Sequence, residues 1–258
     1  MRIFPIKLPL IKKGDPLLNI IIEKVLKMNI KINSGDVFVV SSKVVATSQG
    51  RIVPYVNISP SKKAEIIGKK YLIDPRIVEI IMKESDDILG GIPRVLLCIK
   101  NGILMANAGI DKSNAPPNHV VLLPEKPEEW AEKFRKSIYD LFKVKIGVII
   151  SDSRTQPLRL GNVGLALAVS GFEPVIDCRG EKDIYGRTLK ITWLAIADNL
   201  ASAAEILMNK SKKNAVILIR GAPVTLTDRK IRLTDMCIPS RECMYMRVFN
   251  NWRKTNFY

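Results

Sequence analysis

Val144-Lys145-Ile146-Gly147-Val148-Ile149-Ile150-Ser151-Asp152-Ser153-Arg154 is an apolar, β-branched run that closes on a carboxylate. Upstream, Pro127-Glu128-Glu129 places a proline and two acids where a first helical turn favours them. Trp130, Phe134, Ile138 and Leu141 then recur at helical spacing. A helix feeding a buried strand is the unit from which the rest is read. Toward the N-terminus, residues 1–12 read as a strand and a turn that Leu8-Pro9-Leu10-Ile11 closes. Residues 15–28 carry helix-spaced Leu17, Ile20, Ile21, Val25 and Leu26, and Val37 to Val40 is a buried strand. Residues 60–90 read as helical, with caps at Ser59 and at Asp74-Pro75. Val95 to Ile99 and Gly102 to Met105 form a hairpin around Lys100-Asn101-Gly102. Toward the C-terminus come a Gly-rich stretch, Gly161 to Gly171, and a polar segment, Asp177 to Arg187. A strand from Thr188 to Trp193, a helix from about Asp198 to Met208 and a strand from Ala215 to Ile219 follow. Strands and helices alternate irregularly, without repeats. This predicts an α+β fold with mixed or antiparallel sheets rather than a doubly wound one.

The chain's 258 residues suffice for one large core or two small ones. No run approaches the ~20 apolar residues of a membrane helix, and the start reads as a strand rather than a signal peptide, so a cytoplasmic location is expected. Cys98, Cys178, Cys237 and Cys243 are scattered, with no C-x-x-C pair, and read as reduced thiols. The single histidine, His119, excludes a His-rich metal site and reads as a loop residue. The net charge is +16. Residues 209–258 carry eleven Lys and Arg against three Asp and Glu, half of that excess. Such a surface favours polyanionic partners, or is the lysine-rich surface of a thermophile.

Two carboxylates stand out. Asp111 lies in the polar loop Asn107-Ala108-Gly109-Ile110-Asp111-Lys112-Ser113-Asn114, and Asp152 ends the run quoted above. Two Asp residues fixed at strand ends offer the oxygen ligands of a hard divalent cation, with room for water and phosphate; each is also a good turn residue. Ser41-Ser42-Lys43 presents hydroxyls and an ammonium to phosphate, or is a plain strand-end turn. Arg154 and Arg159 are guanidinium forks suited to phosphate, or solvated loop arginines. Gly161, Gly164 and Gly171 do not form a dinucleotide fingerprint, and close packing accounts for them. The segment around Asp183 reads as a tight loop bonded to itself.

Taken in order, Leu8-Pro9-Leu10-Ile11, Asn107 to Asp111 with Asn114, Gly147 to Ser153, Asp183 to Arg187 and Ala197-Asp198 resemble coenzyme F-420-0:L-glutamate ligase, the γ-glutamyl ligase family of the deazaflavin coenzyme F-420. The similarity runs from about residue 3 to 221, and the combination is more specific than any one motif. The resemblance implies a two-part architecture over residues 1–221, with a basic extension over 222–258 packed on the same domain, and an intertwined homodimer. It further implies an archaeal amide ligase that uses GTP and Mg2+ or Mn2+, with K+ as a further ion, to add L-glutamate to F-420-0 through an acyl phosphate. Carried over by position, Asp111, Asp152 and Ser153 are metal ligands, and Leu8, Pro9, Leu10, Ile11, Ser42, Lys43 and Asn114 contact nucleotide. Arg154, Arg159 and Lys210 are phosphate-binding candidates. Two positions depart. Thr47 stands where the family has a nucleotide-contacting Lys, and Asn209-Lys210-Ser211-Lys212-Lys213 stands where it has a Gly-Glu-rich metal-binding loop. A lysine in place of that acid predicts one metal fewer, with Lys210 or Lys212 facing phosphate. The competing readings are a paralogous nucleotide-dependent ligase with another acceptor acid and a basic nucleic-acid-binding protein, the latter drawing on Tyr245, Phe249, Trp252, Phe257 and Tyr258. The ligase reading expects small-molecule partners and neither membrane nor nucleic acid.

Overall fold

The computed structural model describes residues 1–208 and 214–249. Along the chain, β1 (Arg2–Lys7) and α1 (Leu17–Lys27) precede β2 (Val37–Ser41), α2 (Ser42–Ser48) and β3 (Ile52–Pro54). Helices α3 (Lys62–Tyr71) and α4 (Pro75–Glu84) lead into the antiparallel meander β4 (Asp87–Ile92), β5 (Val95–Lys100) and β6 (Ile103–Ala106). Next come β7 (His119–Val121), α5 (Pro127–Phe142), β8 (Gly147–Thr155) and β9 (Asn162–Ser170). Then come β10 (Ile176–Asp177), β11 (Trp193–Leu194), α6 (Ile196–Glu205) and β12 (Asn214–Arg220), followed by a 3-10 turn at Leu233–Asp235 and a short helix at 244–249. The fold is α+β, as the irregular alternation predicts.

The main sheet runs β1-β12-β2-β8-β9, antiparallel except where β2 pairs with β8 in parallel. Its central strands are apolar at nearly every position because both faces are covered. Alternation divides their side chains. Phe38, Val40, Val148, Ile150, Val216 and Leu218 meet α1 and α5 through Ile21, Val25, Phe134 and Ile138. Val37, Val39, Ile149, Ile217 and Ile219 meet α6 through Ile196, Leu200 and Ala204. Phe38 and Phe134 pack edge to face, with centroids 5.3 Å apart. A third apolar cluster joins α3 and α4 to the meander and to the β3/β7 pair through Val78, Ile81, Leu96, Cys98, Val120 and Leu122. Ion pairs fasten the end of α4 to β5 and to the segment before β3. Arg51 reaches Glu84 at 2.9 Å and Glu125 at 3.2 Å, and Lys100 also pairs with Glu84. The segment after β12 lies along the α6 side, with Ile231 buried there and Arg229 paired to Glu173. No described helix is long and apolar enough to cross a membrane.

Several local expectations are corrected. The cap of α3 is Ser61, not Ser59; its hydroxyl accepts from the Ala64 N–H at 3.3 Å. Residues 60–90 are not helical throughout, since α4 stops at Glu84 and β4 begins at Asp87. Asp74 does cap α4, accepting from the Arg76 N–H at 2.9 Å. The Gly-rich stretch is largely the strand β9. Gly164 sits where α6 crosses, and a Cβ there would strike the Ala201 carbonyl, so the glycine marks close packing inside a strand rather than a loop. The strand expected over Thr188 to Trp193 shrinks to Trp193–Leu194 paired with β10, because the segment before it bonds to itself. Asp183 accepts from the N–H groups of Tyr185 and Arg187, at 2.9 and 2.8 Å. The helix read from about Asp198 to Met208 begins two residues earlier and ends three earlier, over α6. His119 opens β7, with Nδ1 2.8 Å from the Pro117 carbonyl, rather than sitting in a loop.

Asp36, with 1% of its surface exposed, anchors the entry to β2. It takes a two-pronged bond from Arg220 of β12, at 2.9 and 2.7 Å, and a third from the Asn33 N–H at 2.9 Å. Removing one partner of such a pair strands the other charge. Asp36→Ala is therefore expected to lower unfolding stability by about 3–5 kcal/mol in denaturant titrations; a loss below ~1 kcal/mol would show that Arg220 re-solvates freely.

Candidate active site

In the parallel pair, Val37 faces Gly147 and the register holds to Ser41 and Ser151. There β2 turns directly into α2, while β8 runs on to Thr155 against β9 alone. The β8/β9 register slips between Ile150 and Ser151. Such an irregularity re-aims the side chains that follow it. Asp152 thus lies inside β8, not beyond its end as the sequence reading has it, in the length of strand that β2 no longer covers.

Asp111 arrives by another route. After β6 the backbone takes left-handed turns at Asn107 (φ 50°) and Ala108 (φ 53°), a conformation that costs free energy in non-glycine residues. The Asn107 carboxamide oxygen holds this bend by accepting from the Leu96 N–H at 2.8 Å. Asp111 then exchanges backbone bonds with Val121 of β7, at 3.1 and 2.8 Å. Since β7 pairs with β3, three residues after α2, the loop is delivered to α2 and to Lys43.

The Lys43 ammonium donates to Asp111 Oδ2 and, at 2.9 Å, to Ser113 Oγ. The Ser113 N–H and hydroxyl also donate to Asp111, at 2.7 and 2.6 Å. Burial raises the Asp111 pKa, but the bonds from Lys43 and Ser113 outweigh it and hold the carboxyl down to about 2. Asp152 behaves oppositely. Burial pushes its pKa up and the charge of Asp111 adds to the rise, against the Ser153 N–H, Lys43 and the Ser42 hydroxyl. Asp111 is thus held ionised, whereas burial disfavours ionisation of Asp152. These oxygens, with the Ser153 hydroxyl, form a hard donor set that fits Mg2+ or Mn2+ with positions open to water and phosphate. Among the described residues, no cluster of three or more Asp, Glu, His or Cys exists.

The site opens on a cavity of about 680 Å³. Leu8, Pro9, Leu10 and Ile11 line it, with Lys43, Asn114, Asp152 and Ser153. Ser42 is buried behind, at the start of α2. Arg154 points elsewhere, toward Asp198 of α6 at 3.9 Å, and Arg159 lies in the exposed loop after β8; neither lines the cavity. Lys210, with Lys212, lies outside the described residues. Thr47 does line the cavity, and so do residues the sequence reading passes over: Lys12, Lys13, Glu205, Met208 and Asn214. The two lysines follow Leu8–Ile11 directly, and that adjacency was the available signal.

The cavity combines an apolar wall with the Lys43 ammonium and the Asp152 carboxylate, and Lys43 is bonded to Asp111. The chain belongs to the F420-0:Gamma-glutamyl ligase family, whose model matches residues 5–221, and it is a ligase. It is 37% identical to the coenzyme F420:L-glutamate ligase of Methanopyrus kandleri over 86% of this chain and 87% of that one. The protein of the same name from Methanocaldococcus jannaschii is 36% identical over 95% and 96%, and that from Archaeoglobus fulgidus 35% over 87% and 89%.

The opposite shifts predict opposite effects on the metal-free protein. The lowered pKa of Asp111 contributes stability that is present above the ordinary carboxylate range and is lost as pH falls toward 2. The raised pKa of Asp152 makes its ionisation a cost, absent at low pH and growing as pH rises through the folded-state value. At neutral pH in chelator, Asp111→Asn should destabilise by about 1–3 kcal/mol, since Lys43 loses its bonded carboxylate and keeps only Ser113, while Asp152→Asn should raise the melting temperature. Equal losses in both variants would contradict this asymmetry.

Proposed function

We propose that this ligase joins the amine of L-glutamate to a carboxylate of F420-0, using GTP and Mg2+ or Mn2+. The bond of Lys43 to Asp111, beside a cavity that Lys43 and Asp152 line, carries this reading, and the names of the relatives supply the substrates. Leu8 to Ile11 offer an apolar wall for the base, and Lys43 and Asn114 offer contacts to the phosphates. Asp111, Asp152 and Ser153 would hold the metal, which when bound neutralises charge on the phosphates. The γ-phosphoryl group passes to the acceptor carboxylate with GDP leaving. The amine then forms the amide bond and expels orthophosphate. The chain's part is to align the three reactants and keep water from the mixed anhydride.

A homodimer belongs to the same proposal. Leu158, Leu160, Ile184, Tyr185 and Ile191 are among the most exposed large apolar side chains, on the loop after β8 and the segment before β11. A second copy seated there would cover them. Light scattering at micromolar concentration should give twice the chain mass; a monomer would remove this part.

The reaction itself is tested by orthophosphate release that requires GTP, Mn2+, F420-0 and L-glutamate together. Asp111→Asn and Asp152→Asn should each lower kcat by roughly three orders of magnitude. Full activity in either variant, or unchanged Mn2+ affinity in both by calorimetry, would overturn the reading.

A further inference from the structure

We propose that Lys43 is the resident counter-ion of the carboxylate pair: its ammonium stands in for a divalent cation until phosphate draws it away, so that metal and phosphate bind together and metal alone binds weakly. This deepens the metal reading of Asp111 and Asp152 given above and rests on it.

Three observations carry the inference. First, the Lys43 ammonium is bonded to Asp111 Oδ2, one of the oxygens a cation would take, and is steadied by Ser113 Oγ at 2.9 Å. Second, its charge also acts on Asp152, so one ammonium serves both carboxylates. Third, its side chain is only 19% exposed and lines the cavity, at the second residue of α2. Two carboxylates and an ammonium carry one net negative charge. A divalent cation added to that set leaves one net positive charge in a half-buried place, with the ammonium facing the metal. Anionic phosphate in the cavity removes the conflict, because the four-carbon stem of lysine lets the ammonium move from carboxylate to phosphate without moving the helix. Asp111 is then released to the metal at the moment the phosphate is in place. An enzyme arranged in this way loads metal only weakly in the absence of nucleotide.

The test is calorimetric titration of the full chain with Mn2+ alone and, separately, with metal-free GTP, for the unmodified protein, Lys43→Met and Lys43→Arg. Lys43→Met should bind Mn2+ about tenfold more tightly than the unmodified protein when no nucleotide is present. It should also bind metal-free GTP about tenfold more weakly. Lys43→Arg keeps the charge and should keep Mn2+ binding weak. Thermal melts guard against misfolding: without metal the Lys43→Met midpoint should fall, and Mn2+ should restore it by more than it raises the unmodified protein. Equal or weaker Mn2+ binding by Lys43→Met would overturn the counter-ion role and leave the metal reading standing. No Mn2+ binding by any of the three, even with GTP present, would overturn both.

Discussion

The site depends on a mismatch of length between two parallel strands. Over five residue pairs β2 and β8 are partners, and their side chains build the core on both faces. Then β2 leaves the sheet at Ser41 while β8 continues. The carboxyl end of a parallel pair is where an open sheet offers a crevice, because the departing chain leaves strand ends uncovered. The packed strands upstream fix Asp152 rigidly, and the early departure of β2 frees its surroundings. Were both strands equally long, Asp152 would be another inward-facing core position. Were both short, it would sit on a mobile loop.

What converges on this gap is electrostatically unequal. Asp111 arrives on a strained loop with its hydrogen bonds complete, whereas Asp152 is supplied by the sheet with its desolvation only partly met. Their proximity is unfavourable without a positive charge. The bent backbone at Asn107 and Ala108, which works against the free protein, is held by the Leu96 bond and by pairing with β7. Stability spent in that way is characteristic of places where geometry is fixed for a ligand.

Much of this was legible in the sequence. The β8 run, the α5 stripe and the turn at Asn101-Gly102 follow from periodicity and turn chemistry alone. Motif resemblance picked out Asp111, Lys43 and Asp152 together, although periodicity cannot bring residues 43, 111 and 152 into one place. Other features were hidden for physical reasons. A strand whose glycine admits a crossing helix looks like a loop, which concealed β9. The β8/β9 irregularity has no composition signal, so Asp152 read as a terminal residue when it is an internal one. Arg154 and Arg159 looked suited to phosphate by chemistry, but Arg154 lies 3.9 Å from Asp198 of α6 and Arg159 is on the exposed loop after β8. Side-chain type proposes a ligand; the partners a side chain meets in the fold decide whether it faces one.

The same distinction bears on Thr47. It is neutral on a cavity wall where the family resemblance expects an ammonium, yet Lys12 and Lys13 line that cavity too. The turn that carries them is fixed. The Lys12 N–H bonds the Asp15 carboxylate at 2.7 Å, and the Gly14 N–H bonds the Ser48 carbonyl at 2.9 Å, tying the turn to the end of α2. The stem of Lys13 lies across Gly50, filling the space a side chain there would take. An anionic ligand responds to the charge at a place rather than to the residue number that supplies it. Positive charge on this wall therefore comes from the turn after β1, while α2 contributes Lys43 to the carboxylates. Each helix or turn at the cavity has its own electrostatic task, and a loss at Thr47 does not leave the wall neutral.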